Sequence, residues 1–179
     1  MRLAIATIVL LSVVAASATT VEPITVEDMA RAASHVVEAR AVQQWSAWDE
    51  NEHLIYTYTR FAVARALKGG AQAELVVRQM GGSAGGYRQH VSGVQIFRLG
   101  DESVLFLRRS VAADGSFAIV GLMQGDFRIR HAGDGEARVS NGVPDVASFD
   151  RGRTSIYTGS DMKLADLEQR VQRALGQNR

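Results

Sequence analysis

The stretch HLIYTYTRFAVARALKGG, residues 53–70, decides the fold of this chain. It is rich in β-branched and aromatic residues, lacks proline and ends at a Gly-Gly pair, a pattern that predicts one long strand. Alternation places on one face Ile55, Thr57, Thr59, Phe61, Val63 and Leu67, and on the other Leu54, Tyr56, Tyr58, Arg60, Ala62, Ala64 and Ala66. Such a strand spans roughly 40 Å, whereas strands in small sheets usually have about 5–6 residues. We therefore expect it to bend and to pair with different neighbours along its two halves, as in a small closed barrel.

The N-terminus has the pattern of an export signal. Residues 3–18 carry no charge, follow a short basic start and end in small residues, which predicts cleavage before Thr19. The alternative is a retained membrane anchor, but the strongly apolar part, Leu3 to Val14, is shorter than the ~20 residues that a spanning helix needs. We expect 1–18 to be a signal peptide and 19–179 to be a single periplasmic or secreted domain without membrane contact after cleavage.

Charge and cysteine content restrict the function further. Without Arg2, the mature chain has 19 basic and 19 acidic residues, and this neutral balance gives no support to nucleic-acid binding. The sequence contains no cysteine, so disulfides, thiolate metal sites and cysteine nucleophiles are excluded. A domain of about 150 residues buries enough surface to fold without such crosslinks.

Periodicity predicts the other elements. A helix capped by Thr25 is expected to end near Ser34, and a strand of period two runs from His35 to about Trp48 and forms a hairpin with the long strand. Further strands are predicted at 73–80, 95–98, 103–109, 117–123, 127–131 and 136–139. The segment 81–93 is predicted as a glycine-rich loop that crosses a barrel end, and 140–160 as a mobile connection.

The last predicted element is a C-terminal helix. Leu164, Leu167, Val171 and Leu175 recur at helical spacing, Ser160 or Asp161 is expected to cap the helix, and Gly176 to end it. The fold class is therefore mainly β (α+β): a small antiparallel, partly closed β-barrel with an N-terminal and a C-terminal helix.

The sequence contains no recognisable catalytic or metal-binding motif. The four histidines (His35, His53, His90 and His131) lack metal-ligand spacing, and G-x-S-x-G does not occur. The carboxylates of Asp49, Glu50, Glu52, Asp101 and Glu102 mark turns, where such residues are favoured for backbone reasons. We expect no enzyme activity, no cofactor and no metal.

Aromatic and cationic side chains near the predicted loops are the candidates for binding. The 81–93 loop lacks the spacing of a phosphate-binding loop, but it carries Tyr87, Arg88 and His90, residue types that are used at contact surfaces. Trp45 and Trp48 lie near the hairpin tip, and we expect at least one of them to be buried. These five residues are the predicted binding site.

Several segments together resemble the netrin-like module, the oligosaccharide/oligonucleotide-binding (OB) type of barrel also found in tissue inhibitors of metalloproteases. They are SHVVEARAV at 34–42, FAVARALKG at 61–69, LVVRQ at 75–79, LGDESVLFLR at 99–108 and the C-terminal helix. The same run, with GLMQGDFRI at 121–129, is similar to a group of exported bacterial proteins of unknown function. The resemblance implies an OB-like barrel. The inhibitors begin with a zinc-binding cysteine, which this chain lacks, so their mechanism does not carry over.

We therefore expect an exported, non-enzymatic binding module that uses loops 45–52 and 81–93 to contact a protein or glycan partner. A metal-dependent hydrolase using His90 and nearby carboxylates is one alternative. An envelope-structural protein without a discrete site is the other.

Overall fold

The computed structural model describes residues 19–51, 53–112, 114–133, 135–141, 146–150, 153–156 and 158–176. The predicted export segment, 1–18, lies outside these residues. The described elements, in chain order, are β1 (Thr19–Val21), α1 (Val26–Ala32), β2 (His35–Trp48), β3 (Ile55–Lys68), β4 (Glu74–Met80), β5 (Gly82–Ala84), β6 (Tyr87–Gln89), β7 (Glu102–Arg109), β8 (Phe117–Ile119), a 3-10 helix (Leu122–Gly125), β9 (Asp126–His131), β10 (Ala137–Ser140), β11 (Val146–Asp150), β12 (Arg153–Ile156), β13 (Asp161–Lys163) and α2 (Leu164–Ala174). In this part of the chain neither helix is long and apolar enough to cross a bilayer.

Five strands close into a small barrel. The order is β7-β2-β3-β4-β8, and a further pairing of β7 with β8 closes the ring. All pairs in this ring are antiparallel except β4 with β8, which is parallel. Strands β9, β10 and β13 extend the sheet beyond β7. The architecture is compatible with an OB-like barrel and confirms the predicted mainly β fold with a helix near each end.

The long hairpin of β2 and β3 is the frame of the barrel. β3 pairs with β2 along nearly its whole length, but β4 covers only Tyr56 to Ala62. Three register shifts interrupt the pairing within the first half of β2, between Val36 and Gln43. Because each bulge bends the strand and increases its twist, the hairpin curls instead of extending flat. The predicted closed barrel is confirmed, but the predicted exchange of neighbours along β3 is not, because β3 keeps β2 along its whole length and pairs with β4 only in its first half.

The domain has two hydrophobic cores on opposite faces of β7. Leu105 and Leu107 point into the barrel, where the rings of Phe61 and Phe97 meet edge to face with centroids 4.8 Å apart. The alternate residues of β7 pack on the side of the sheet that carries the two helices, which contact each other. This second core contains Val104, Phe106, Phe127, Met29, Leu167 and Val171. Alternation along a single strand thus joins the barrel to the helical layer.

The helix starts show one prediction confirmed and one wrong. The Thr25 hydroxyl accepts a hydrogen bond from the Asp28 backbone N–H at 3.1 Å, as expected of an N-cap. Helix α2 instead starts after Lys163, which caps it without a side-chain bond, so the predicted cap at Ser160 or Asp161 is wrong. The reason is that Asp161 belongs to β13, where its carboxylate bonds Arg138 across the sheet.

Two predicted elements between β4 and β7 differ from the structure. The glycine-rich segment 81–93 is not an open loop, because β5 and β6 form a short hairpin within it. That hairpin docks closely on the barrel: a Cβ at Gly82 would lie 2.2 Å from Thr57 Oγ1. Residues 95–98 form no strand, and this segment instead places Phe97 in the barrel core.

Two further corrections concern the later strands. The predicted strand 117–123 stops at Ile119, because Gly121 and Leu122 adopt left-handed backbone angles (φ +66° and +59°) that a strand cannot contain. The segment 140–160, predicted as a mobile connection, contains two strands, β11 and β12, which form a three-stranded sheet with β1. Residues 142–145, 151–152 and 157 lie outside the described part.

His35 gives the fold a pH dependence. It is buried, it bonds Ser34 and Gln72, and its ring meets Phe117 edge to face. Burial, aided by the positive charge of Arg109, lowers its pKa below the ordinary value. In the unfolded chain the His35 imidazole binds a proton near pH 6.5, whereas in the folded chain it binds one only at lower pH. The free energy of unfolding therefore falls as the pH decreases below about 6.5.

We expect His35→Leu to lose less stability between pH 7.5 and pH 5.5 than the wild type loses. Urea denaturation at both pH values measures this difference. His53→Leu, which changes an exposed histidine, is the matched control and is expected to retain the wild-type pH dependence. An equal loss in wild type and His35→Leu would contradict the role given to His35.

Candidate functional site

An aromatic and cationic row crosses three strands on the outer face of the barrel. Trp45 of β2 lies opposite Tyr58 of β3, which lies opposite Arg78 of β4. Directly opposed residues share one face of a sheet, so these side chains are neighbours. Tyr56 and Arg60 flank Tyr58 on the same face. We call these five residues the aromatic–arginine face.

The rings and cations of this face are in direct contact. Trp45 and Tyr58 stack with centroids 5.4 Å apart and planes 7° apart. Arg78 Cζ lies 3.5 Å from the Tyr56 centroid, and Arg60 Cζ lies 5.9 Å from the Trp45 centroid. Cation–π and stacking contacts hold these side chains in defined orientations, while Trp45 keeps 39% of its surface exposed. The face is therefore preorganised and accessible.

Two open grooves border this face. One, of about 530 Å³, lies between the hairpin tip (Asp49, Glu50 and Asn51) and Asp114 of the β7–β8 loop. The other, of about 580 Å³, extends past Trp45 and also reaches Asp114. Tyr58 lines both grooves, so they meet at the centre of the aromatic–arginine face.

Ionised carboxylates stand at both sides of the first groove. The backbone N–H groups of Leu54 and His53 donate to Asp49 Oδ1 and lower the pKa of that carboxyl. Burial alone would raise the pKa of Asp114, but hydrogen bonds from Ser116 and the charge of Arg78 outweigh it and lower this pKa. The groove thus presents hydrogen-bond acceptors beside the rings and Arg78.

The five sequence-predicted binding residues do not form one site. Trp45 belongs to the aromatic–arginine face. Trp48 lines the first groove beside that face and meets the Tyr87 ring with centroids 5.7 Å apart. Neither tryptophan is buried, so that prediction is wrong; the hairpin tip extends beyond the part of the sheet that the core covers. Arg88 and His90 are exposed and do not line the two grooves.

The predicted binding residues do not include Tyr56, Tyr58, Arg60 and Arg78. A signal was present, because the alternation of β3 already placed Tyr56, Tyr58 and Arg60 on one face. Arg78 could not be added without the register of β4 against β3.

Within the described part of the chain, no group of three or more His, Asp or Glu residues is placed to hold an ion. His131 Nε2 instead lies 2.8 Å from Glu102 Oε2.

Comparison of the chain with protein-family models, with curated proteins and with solved structures found no match.

Proposed function

We propose that this chain is an exported, non-enzymatic binding module that holds a glycan against the aromatic–arginine face. The observation that carries the proposal is the row of Trp45, Tyr58 and Arg78 where the two grooves meet. In OB-type barrels, the face of the second and third strands and the adjoining loops bind oligosaccharides and oligonucleotides. Strands β3 and β4 occupy that position here. The uncharged segment 3–18 supports export.

The chemistry of the grooves favours a glycan among the partners that such a face can hold. Flat rings present apolar surface to the C–H faces of sugars, and Asp49, Asn51 and Asp114 offer acceptors to hydroxyl groups. An oligonucleotide is disfavoured because its phosphates would meet the carboxylates of Asp49 and Asp114. A protein partner would use the same Trp, Tyr and Arg side chains, and it is an outcome of the test below.

We also propose that the barrel is netrin-like. The resemblance carried by residues 34–42, 61–69, 75–79 and 99–108 supports this assignment, since these segments form successive strands of the closed ring. The C-terminal helix beside the barrel supports it further, with Arg170 bonded to Glu27 of α1 at 2.7 Å through both guanidinium nitrogens.

Glycan binding is tested with a printed array of neutral, amino and acidic oligosaccharides, followed by titration calorimetry with the strongest binder. Trp45→Ala and Tyr58→Ala are each expected to weaken binding about 10- to 30-fold, because each removes a stacking surface worth about 1.4–2 kcal/mol. Leu99→Ala, which truncates an apolar side chain that is 64% exposed in a turn, is the matched control and is expected to bind as the wild type does.

Two results would contradict the glycan proposal. One is the absence of saturable binding on the array and in calorimetry up to millimolar ligand. The other is capture of a protein from an envelope extract that Trp45→Ala abolishes, which would assign the face to a protein partner. A thermal midpoint within a few degrees of wild type shows that each variant is folded.

A further inference from the structure

A separate cavity opens through the barrel wall between β4 and β8. The two strands are paired only at Val77 and Phe117, so they leave a gap beyond that point. The gap encloses about 200 Å³, and its apolar walls include Val94, Ile119 and Met123. This volume accommodates one six-membered ring with a short substituent, since roughly 150 Å³ is enough for benzene.

Three side chains that line the cavity carry a buried polar atom without a hydrogen-bond partner. These atoms are Arg78 Nε, Gln79 Oε1 and Asp126 Oδ1. Buried polar atoms are nearly always paired in folded proteins, because an unpaired one has lost its hydration without compensation. The two acceptors among them, on Gln79 and Asp126, indicate a bound molecule that donates hydrogen bonds.

Both unpaired acceptors face the interior of the barrel. Gln79 follows Leu75 and Val77 on the inward face of β4, and Asp126 lies directly opposite the buried Leu105. The orientation of the Gln79 amide is defined, because its Nε2 donates to the Gln95 carbonyl at 3.2 Å. The inner end of the cavity therefore requires a hydrogen-bond donor.

The inner end of the cavity contains the carboxyl group of Asp126. Asp126 is only 5% exposed, and its Oδ2 accepts a hydrogen bond from Arg128 Nε at 3.0 Å. The same arginine donates to Asp101 Oδ2 at 2.5 Å, so one cation serves two carboxylates. Burial raises the pKa of Asp126, and Arg128 together with a hydrogen bond from Ser103 only partly offsets this effect, so a second cation beside Oδ1 would stabilise the ionised form.

The mouth of the cavity carries exposed apolar side chains, and two arginines, Arg78 and Arg108, also line the cavity. Met80, Val111 and Leu122 line it, and each is an exposed hydrophobic side chain (40%, 96% and 53%). Leu122 has φ +59°, a left-handed angle that no other described residue except glycine adopts. Such backbone strain is costly and persists only where the surrounding structure imposes it.

We propose that this cavity binds a small organic cation, a primary ammonium carried on a single ring or a short alkyl chain. The ammonium donates to Asp126 Oδ1 and Gln79 Oε1, and the hydrocarbon part contacts Ile119, Val94 and Met123. This site differs from the aromatic–arginine face, and the inference does not rest on glycan binding.

A matched series of ligands tests the proposal by calorimetry at pH 7: 2-phenylethylamine, 2-phenylethanol, propylbenzene and 3-phenylpropanoate. We expect 2-phenylethylamine to bind with a Kd on the order of 0.1–1 mM, at least about tenfold tighter than the other three. In methyl-detected NMR, the resonances of Ile119 and Met123 are expected to shift, and the Trp45 indole resonance to stay unchanged.

Variants separate the polar contacts from simple apolar packing. Gln79→Met keeps the side-chain length and is expected to weaken 2-phenylethylamine binding about 5- to 10-fold, with propylbenzene binding unchanged. Asp126→Asn, which keeps the shape, is expected to weaken it about 20-fold or more. Gln43→Met, an exposed position on β2, is the control. If Asp126→Asn does not fold, Gln79→Met still tests the donor requirement.

Three outcomes would overturn the proposal. Equal binding of all four compounds would indicate apolar partitioning only. Preference for 3-phenylpropanoate would indicate an anion site dominated by Arg78. Absence of saturable binding up to 10 mM, or NMR resonance shifts confined to the Trp45 indole, would show that the cavity does not bind organic cations.

Discussion

Phe61→Ala is expected to lower the free energy of unfolding by about 3–5 kcal/mol. Phe61 is fully buried inside the barrel, where its ring packs edge to face against Phe97. It lies on β3 opposite Ala41 and Leu75, so the lost ring leaves a cavity between three strands. The strands of a closed barrel cannot move into that space without breaking their hydrogen bonds. We therefore expect the loss in the free energy of unfolding to lie in the upper part of this range. Urea denaturation followed by tryptophan fluorescence measures it.

Phe61→Leu is the matched control for the size of the cavity. It keeps most of the apolar volume and is expected to cost less than about 1.5 kcal/mol. A loss below about 1.5 kcal/mol for Phe61→Ala itself would contradict a packed barrel interior.

Gly125→Ala is expected to destabilise the fold by about 1–3 kcal/mol although it adds a single methyl group. Gly125 is buried at the end of the 3-10 helix that connects β8 to β9. A Cβ at this position would lie 2.6 Å from the Val120 carbonyl oxygen and 3.2 Å from Phe106 Cβ. The Val120 backbone is fixed by its own hydrogen bond to the Phe106 carbonyl at 2.9 Å, so it cannot move aside freely.

Thermal and urea denaturation test the Gly125 prediction, with Gly70→Ala as the matched control. Gly70 follows the C-terminal end of β3, and a Cβ at Gly70 would have no atom within 4 Å. This substitution is expected to be neutral or slightly stabilising, because it only restricts the unfolded chain. Equal stability of both variants would show that the 3-10 connection is not packed as described.

The candidate site was only partly readable from the sequence. The alternation of β3 fixes the common face of Tyr56, Tyr58 and Arg60, but the residue types of the glycine-rich segment favoured Tyr87, Arg88 and His90. Exposure and residue type alone do not show which side chains meet. The meeting of Trp45, Tyr58 and Arg78 depends on the registers of two strand pairs. A shift of one residue in either register would turn the whole row to the other face.

The sequence by itself determined the elements that depend on local chemistry. Alternation gave β2 and β3, the Thr25 hydroxyl gave the start of α1, and the spacing of Leu164, Leu167 and Val171 gave α2, because each pattern involves residues within a few positions of one another. Only the tertiary structure decided the closure of β7 on β8, the register that forms the aromatic–arginine face, and the gap that brings Gln79 to Asp126. These features join residues far apart in the chain, and the bulges and twist that align them leave no periodic trace in the sequence.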